Sequence, residues 1–264
     1  MVGVEPVGQI PPSAIASAPW WAPFALAGSF LTSVPVPQVE PTPQVLGRAI
    51  GLFPAIGGLL GALLGAVGLV LDWVLPGGPV AALLLAVGAV LTGGLHLDGL
   101  MDTADGVLGG RTVERRLEIM RDSRVGAFGA TAGGLALVGQ YACLAEFTGF
   151  ERLAALVLAY GLSRWTMVVA LGLFPPARPT GLGAAFHEGG GQRSLVVATL
   201  LAAVIALACG PLGFVGFAFA AVTAPLGGRF LARRLGGLTG DTYGALAVVT
   251  ETLVLYVAVA FRPA

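Results

Sequence analysis

The sequence is poor in charge and contains no lysine. Only 11% of its 264 residues are charged, whereas an average soluble domain has about 25%, and all fourteen basic residues are arginine. The net charge of zero argues against nucleic acid as a partner. Hydrophobic residues make up 56% of the chain and the mean hydropathy is +0.88. Because long apolar runs with few charges are typical of membrane-spanning helices, the composition predicts an integral membrane protein.

Cysteine is also scarce, and a secretory signal is not recognisable. Cys143 and Cys209 both lie in apolar runs, which predicts buried hydrophobic residues and not a disulfide or a metal-binding pair. Residues 1–19 lack the basic start and the apolar core of a signal peptide. We therefore expect a loose cytoplasmic tail over residues 1–19 and a single catalytic membrane domain over residues 20–264.

The apolar runs predict an all-α, polytopic bundle of about seven transmembrane helices behind a short N-terminal helix. The run Trp20–Thr32 is too short to span a bilayer, so we expect an interfacial or re-entrant helix there. Prolines from Pro35 to Pro43 are expected to stop any helix after it. The expected spans are Ala49–Leu75, Val80–Thr92 continuing into the acidic motif described below, Gly126–Phe147, Leu153–Phe174, Ser194–Cys209, Leu212–Leu226 and Asp241–Phe261.

Arginine is distributed unequally between the two sets of connections that join these spans. One set contains eleven arginines, and the other contains only Arg152 and Arg262. Because cytoplasmic loops are enriched in basic residues, we place the first set in the cytoplasm. Most of the aspartates fall on the same side. The eleven arginines of the first set are Arg48, Arg111, Arg115, Arg116, Arg121, Arg124, Arg178, Arg193, Arg229, Arg233 and Arg234.

An acidic motif, GGLHLDGLMDTADGVLGG, follows the second apolar run. It places Asp98, Asp102 and Asp105 four and three residues apart, which stacks them on one face of a helix. The nearest cation in the sequence is Arg111, so the three carboxylates repel one another. A divalent cation would convert this repulsion into binding, and Mg²⁺ prefers such oxygen ligands. A solvated acidic helix start is the alternative interpretation.

Two charged residues lie inside apolar runs. Arg164 lies in the fourth expected span and Glu251 in the last. A charge at the bilayer centre costs roughly 2.5–3.5 kcal/mol on insertion scales, so such residues need a partner or a function. We expect Arg164 either to pair with a carboxylate or to hold a phosphate, and Glu251 to face the bundle interior, toward Arg164. His96 points away from the acidic face on a continuous helix, and roles as ligand, base or packing residue are all open.

The segment RTVERRLEIMRDSR follows the acidic motif and is charged and amphipathic. Its end precedes the third expected span, where Arg121 and Arg124 can reach back toward the carboxylates. A guanidinium group matches phosphate oxygens in a bidentate way. Asp122 can either complete a metal site or orient Arg124, and an interfacial helix of alternating charge is the structural alternative for the segment.

Two further polar segments lie on the same side of the membrane. Arg178 opens the turn RPTGLG, whose backbone N–H groups can face an anion. Thr239 and Asp241 stand at the start of the last expected span. A helix N-terminus favours anions, and Asp is a good helix cap, so Asp241 is a candidate both for the site and for a cap.

On these motifs the chain resembles the cobalamin synthase family, the adenosylcobinamide-GDP ribazoletransferases. The similarity runs from residue 30 to Glu251 and does not extend to the proline-rich first twenty residues. The segments that carry it are FLTSVPVP, HLDGLMDTADGVLGG, RRLEIMRDSRVGAFG, ARPTGLG, and GGLTGDTYGA with Glu251 beyond it.

The resemblance implies a Mg²⁺-dependent transferase in the bacterial cytoplasmic (inner) membrane, with its active site facing the cytoplasm. The second substrate is α-ribazole or its 5′-phosphate. The 5′-hydroxyl of α-ribazole attacks the cobinamide-linked phosphorus of adenosylcobinamide-GDP, and GMP leaves. The resemblance leaves open the number of metal ions, the identity of the general base and the oligomeric state. The expected site residues are Asp98, Asp102 and Asp105 for catalysis and metal binding, Asp122 and Asp241 for metal binding, Arg121, Arg124, Arg178 and Arg164 for phosphate binding, and His96, Glu251 and Thr239 as further polar candidates.

Two other functions compete with this one. A membrane CDP-alcohol phosphotransferase also builds a Mg²⁺ site from aspartates and begins its motif with Asp-Gly. Its pattern continues with Ala-Arg, whereas Asp98-Gly99 continues to Met101-Asp102 here, so the pattern fails. A vitamin or metal transporter is expected to place its charges near the membrane midplane. Here only Arg164 and Glu251 lie deep, which favours catalysis at one membrane surface.

Overall fold

The protein is a bundle of α-helices. The structure, a computed structural model, describes residues 18–178 and 182–262. Over these ranges the only β-type pairing is an isolated bridge between Pro176 and Leu238, so the predicted all-α class is confirmed. The helices are α1 (Ala22–Leu31), α2 (Pro43–Gly51), α3 (Phe53–Leu71), α4 (Gly77–Thr92), α5 (Leu95–Gly109), α6 (Val113–Ile119), α7 (Ala127–Glu146), α8 (Gly149–Leu173), α9 (Leu182–Gly189), α10 (Gln192–Ala208), α11 (Gly210–Leu235) and α12 (Gly240–Ala260).

Several of these helices are long and apolar enough to cross a membrane. Within the described ranges these are α3, α7, α8, α11 and α12, and α4 with α5 passes the same test as one broken span. The apolar helix α10, with 17 residues, is slightly shorter. Counting it brings the total to the seven spans that the sequence predicts. Helix α1 has only 10 residues, so it is too short to cross, as expected.

Helix α8 forms the centre of the bundle and packs against α3, α10, α11 and α12. Its contact with α3 is close because α3 has a glycine every four residues. A Cβ atom added to Gly57 or Gly61 would clash with the backbone of α8 at Tyr160 or Leu156. Small residues in this spacing allow two membrane helices to touch through their backbones, as the glycines of this run predict.

The second span differs from the sequence prediction. Helix α4 does not continue straight into the acidic motif, because the chain turns by 88° between α4 and α5. Gly93 and Gly94 make this turn with φ values of +60° and +68°, which residues with a Cβ atom rarely adopt. Ser33, from the segment after α1, holds the end of α4. Its N–H donates to the carbonyl of Leu91 at 2.7 Å and its Oγ to that of Val90 at 2.6 Å.

Two boundaries near the N-terminus also differ. Pro43 does not stop a helix but opens α2, since proline is favoured in a first helical turn, and Thr42 caps the helix by accepting from Val45 N–H at 3.3 Å. The first span therefore begins at Phe53, and residues 49–51 belong to α2. Residues 1–17 of the predicted tail lie outside the described residues. Cys143 and Cys209 are both free; Cys143 is buried as predicted, whereas Cys209 is only half-buried.

The two ends of the bundle carry different polar groups. At one end, which we call the Arg152 end, Arg152 forms an ion pair with Asp72, and Arg262 forms one with Glu151 at 2.9 Å. The opposite end, which we call the acidic end, contains α5, α6 and the start of α12. The grouping agrees with the two sets of connections that the arginine distribution separates. The assignment of the acidic end to the cytoplasm stays a prediction.

Candidate active site

The backbones of α5 and α12 touch where they cross at the acidic end. A Cβ atom added to Gly99 would lie 2.7 Å from the carbonyl oxygen of Asp241, and one added to Gly244 would lie 3.2 Å from the Cα of His96. Only glycine permits so close an approach. The crossing therefore brings the first turn of α12, with Asp241, beside the face of α5 that carries Asp98 and Asp102.

We call Asp98, Asp102 and Asp241 the acid cluster, and together they concentrate negative charge. The carboxylates of Asp98 and Asp241 both lie close enough to Asp102 to act electrostatically on its charge, and that of Asp105 does so as well. Within residues 18–178 and 182–262 none of these four carboxylates forms an ion pair. Asp98 is exposed, whereas Asp102 and Asp241 are half-buried. The cluster is thus an acidic surface whose carboxylates have no direct ion-pair partner among the described residues.

Asp241 is free to join the cluster because another residue caps α12. The Thr239 Oγ1 accepts from the Thr242 N–H at 3.3 Å, and the Thr242 side chain accepts from the Thr239 N–H at 2.8 Å. The predicted cap at Asp241 is therefore wrong, because Thr239 occupies that position one residue before the helix begins. The Thr239 hydroxyl also donates to Asp241 Oδ2 at 3.3 Å, which orients the carboxylate.

Asp105 departs from the arrangement that its spacing suggests. It is buried, and its two carboxylate oxygens accept the N–H groups of Gly126 at 2.7 Å and Gly129 at 2.8 Å. Both glycines lie at the N-terminus of α7, where N–H groups lack helical partners and favour an anion. Asp105 thus fastens α5 to α7, although its charge still acts on Asp102.

Arg178 and Arg121 bring positive charge to the same end. Arg178 donates to the carbonyl of Leu117 in α6 at 3.1 Å. Burial lowers the pKa of Arg178, the nearby charge of Arg121 lowers it further, and the carboxylate of Asp241 acts in the opposite direction. Arg178 therefore lies within electrostatic reach of both Arg121 and the acid cluster. Two cations and three carboxylates share this surface.

Helix α6, for which an interfacial helix is the structural alternative in the sequence, is tied to the bundle by Arg116. Its Nε donates to the carbonyl of Gly110 at 2.9 Å, and its Nη1 donates to that of Arg234 at 2.9 Å. The second bond satisfies a carbonyl at the end of α11 that has no partner within the helix. Arg116 therefore has a structural role, which the sequence left undecided.

Asp122 and Arg124 engage each other. The Arg124 guanidinium donates to Asp122 through Nε at 3.0 Å and Nη2 at 2.7 Å. The hydrogen bonds from Arg124 lower the pKa of Asp122 to about 2. Of the two roles that the sequence offered for Asp122, this is the one in which it orients Arg124.

Arg164 and Glu251 form an ion pair in the bundle interior, as one of the sequence interpretations expects. Arg164 also donates to Ser163 Oγ at 2.8 Å, and its Nη2 lies 3.5 Å from His96 Nδ1. The guanidinium lies over the ring of Tyr160, 4.8 Å from its centroid. His96 points away from the acidic face, as predicted, and only 4% of it is exposed. We call the group formed by Arg164, Glu251 and His96 the buried cluster.

Fold and site together define a helical membrane protein with carboxylates and arginines gathered at one end of the bundle. A family model described as cobalamin-5-phosphate synthase matches residues 23–259, and the chain belongs to this family. Similar proteins that bear the name adenosylcobinamide-GDP ribazoletransferase include three from different bacteria.

The relative from Roseiflexus sp. (strain RS-1) is 44% identical over 247 residues, which cover 89% of this chain and 90% of the relative. The relative from Syntrophobacter fumaroxidans is 44% identical over 241 residues, 89% of this chain and 97% of its own. The relative from Stutzerimonas stutzeri is 40% identical over 235 residues, which cover 88% of this chain and 96% of the relative. A comparison with solved structures finds no match.

Proposed function

We propose that the acid cluster is the site at which this protein carries out the reaction for which its relatives are named, ribazole transfer with adenosylcobinamide-GDP. The observation that carries the proposal is the crossing of α5 and α12 at Gly99, which brings Asp241 beside Asp98 and Asp102. The substrate contains a diphosphate, and a site for it needs groups that bind phosphate and groups that manage a proton. The acidic end offers both kinds of group on one surface.

The donor set fits a magnesium ion. Carboxylate oxygens are hard ligands, and within residues 18–178 and 182–262 the three carboxylates of the acid cluster form no ion pair. Among the described residues, no group of three His, Cys, Asp or Glu side chains is arranged to hold a metal ion. A Mg²⁺ ion here would therefore rest on one or two carboxylates and take its other ligands from water and substrate phosphates, as Mg²⁺ typically does. Asp98 and Asp241, one from each helix, are the residues that would hold it, which leaves the carboxylate of Asp102 to receive a proton.

In this proposal the protein's own residues bind the diphosphate and receive the proton. Arg178 and Arg121 bind phosphate oxygens of the GMP that leaves, because guanidinium groups match phosphate geometry. A ribose hydroxyl oxygen of the ribazole bonds to the cobinamide-linked phosphorus as the bond from that phosphorus to the bridging oxygen breaks, so that GMP leaves with the bridging oxygen. Asp102, on which three neighbouring carboxylates act, accepts the hydroxyl proton. Bound Mg²⁺ supplies neutralisation of the charge that develops on the phosphate oxygens.

The proposal extends to where the site faces. In the sequence, eleven arginines belong to the set of connections that includes the acidic motif and two to the other set, so the positive-inside rule favours a cytoplasmic acidic end in the bacterial inner membrane. Protease added to sealed, oriented vesicles is expected to cut the segment of residues 111–124 from the cytoplasmic side only. Cleavage from the outside would invert this topology.

The activity is tested with purified protein in liposomes, adenosylcobinamide-GDP, α-ribazole and Mg²⁺. We expect release of GMP, and we expect Asp102→Asn to lower it by about 10²-fold or more, since proton acceptance by a positioned base contributes this much. Glu118→Gln is the control, because Glu118 is an exposed carboxylate of the same end that pairs with Arg115. No GMP release from the wild-type protein, or full activity of Asp102→Asn, would reject the assignment.

A further inference from the structure

The turn between α4 and α5 does not by itself fix the direction of α5. Among the residues that the structure describes, no atom lies within 4 Å of the place where a Cβ atom of Gly94 would be, and only the Cβ of Ser33, at 3.8 Å, lies near that of Gly93. The N-terminus of α5 also has no side-chain cap. Glycines in open space permit many backbone conformations. The direction in which α5 presents Asp98 and Asp102 must therefore depend on contacts made by α5 itself.

His96 makes a polar contact of this kind in the first turn of α5. It is buried, its Nδ1 faces the guanidinium of Arg164, and its Cα packs on Gly244 of α12. Arg164 is in turn held by Glu251, which lies two helical turns beyond Gly244 on α12. The buried cluster thus links the start of α5 to α8 and α12. Its member on α5, His96, lies two residues before Asp98 and on the opposite face of that helix.

We propose that the buried cluster is a positioning device, in which the Arg164–Glu251 pair acts through His96 to set the rotation of α5 against α12. In the correct rotation Asp98 and Asp102 face Asp241 and form one cation-binding surface. This inference rests on the proposed function of the acid cluster. None of the three residues is assigned contact with the substrate or the metal, so each is a positioning residue.

The Arg152–Asp72 pair is a matched control. It too joins a buried arginine of α8 to a carboxylate, and Arg152 and Arg164 are each 1% exposed. It lies at the Arg152 end, where Asp72 also accepts from the N–H of Gly149 at 2.8 Å. Breaking this pair is expected to weaken the fold without turning α5. A purely structural role for the buried cluster predicts that both pairs behave alike.

Three variants separate the two explanations. His96→Leu keeps the buried volume but removes the nitrogen that faces Arg164, whereas His96→Asn retains an acceptor near that position. Arg164→Lys keeps the charge that Glu251 needs but loses the planar group that reaches His96. Each is compared with wild type and with Asp72→Asn in the full-length protein in detergent. The readouts are amide hydrogen exchange without metal, binding of Mn²⁺ alone by electron paramagnetic resonance, and GMP release.

The positioning role predicts a specific pattern. In His96→Leu and Arg164→Lys, amides of residues 95–102 exchange at least tenfold faster, and Mn²⁺ binds at least tenfold more weakly. His96→Asn behaves like wild type. Asp72→Asn exchanges faster around residues 72–77 and 147–152 and binds Mn²⁺ as wild type does. If His96→Leu fails to fold, Arg164→Lys decides by the same criteria.

Other outcomes overturn the inference without ambiguity. Unchanged exchange in residues 95–102 of both variants, or equal loss of Mn²⁺ binding in Asp72→Asn, would show that the buried cluster is only structural. Loss of Mn²⁺ binding in His96→Leu but not in Arg164→Lys would make His96 a direct ligand. A wild-type protein that neither binds Mn²⁺ nor releases GMP would instead reject the proposed function, and the exchange data would still report on α5.

Discussion

A single methyl group at the crossing of α5 and α12 is expected to disable the site. In Gly99→Ala the new Cβ atom would lie 2.7 Å from the carbonyl oxygen of Asp241 and 3.1 Å from its Cα. Ordinary contact begins at 3.4 Å, so the two helices must separate by roughly 0.7 Å. Overpacking of this kind costs about 1–3 kcal/mol in stability. A displacement of about 1 Å at reacting groups can lower turnover by roughly 10²-fold.

The assay is the rate of GMP release, measured together with the midpoint of thermal unfolding. The matched control is Gly134→Ala in α7, because no atom of the described part of the chain lies within 4 Å of the place where that Cβ would be. The control is expected to keep wild-type turnover and to gain up to about 1 kcal/mol in stability from the better helix former. If Gly99→Ala turns over at the wild-type rate, the crossing does not set the position of the carboxylates.

Three further predictions concern residues around the site. Asp105→Asn removes the charge that faces the N-terminus of α7 and is expected to destabilise the protein by about 0.5–2 kcal/mol in thermal or denaturant unfolding. Asp72→Asn leaves Arg152 buried without its partner and is expected to cost about 3–5 kcal/mol in stability, with the turnover of the folded fraction unchanged. Arg178→Ala is expected to raise the KM for adenosylcobinamide-GDP at least tenfold, with partial recovery in Arg178→Lys, as measured by steady-state GMP release. An unchanged KM in Arg178→Ala would remove Arg178 from the phosphate site.

The sequence predicts those features that follow from the cost of placing a group in an apolar medium. Long uncharged runs have to be helices in a bilayer, so the spans and the all-α class could be predicted. Arg164 and Glu251 could be matched because each is expensive without a partner. The direction in which His96 points followed from its offset of two residues from Asp98, which turns it to the other face of a helix, whereas its role was left open.

The sequence does not predict those features that depend on contacts between distant segments. Gly93 and Gly94 permit many turns. The contacts of Ser33 with α4 and of α5 with α12 select the turn that is observed. Asp105 has the spacing of a ligand, yet the N-terminus of α7 binds its oxygens. The cap at Thr239 had a local signal, the pair of threonines three residues apart that forms a capping box.

The central claim is that carboxylates from two helices form one cation-dependent site, and Asp241→Asn tests it most directly. GMP release is measured over a range of Mg²⁺ concentrations for this variant, for wild type and for Glu118→Gln. The account predicts that Asp241→Asn loses at least tenfold in apparent Mg²⁺ affinity or loses turnover altogether, while Glu118→Gln matches wild type. Wild-type Mg²⁺ dependence and rate in Asp241→Asn would contradict it.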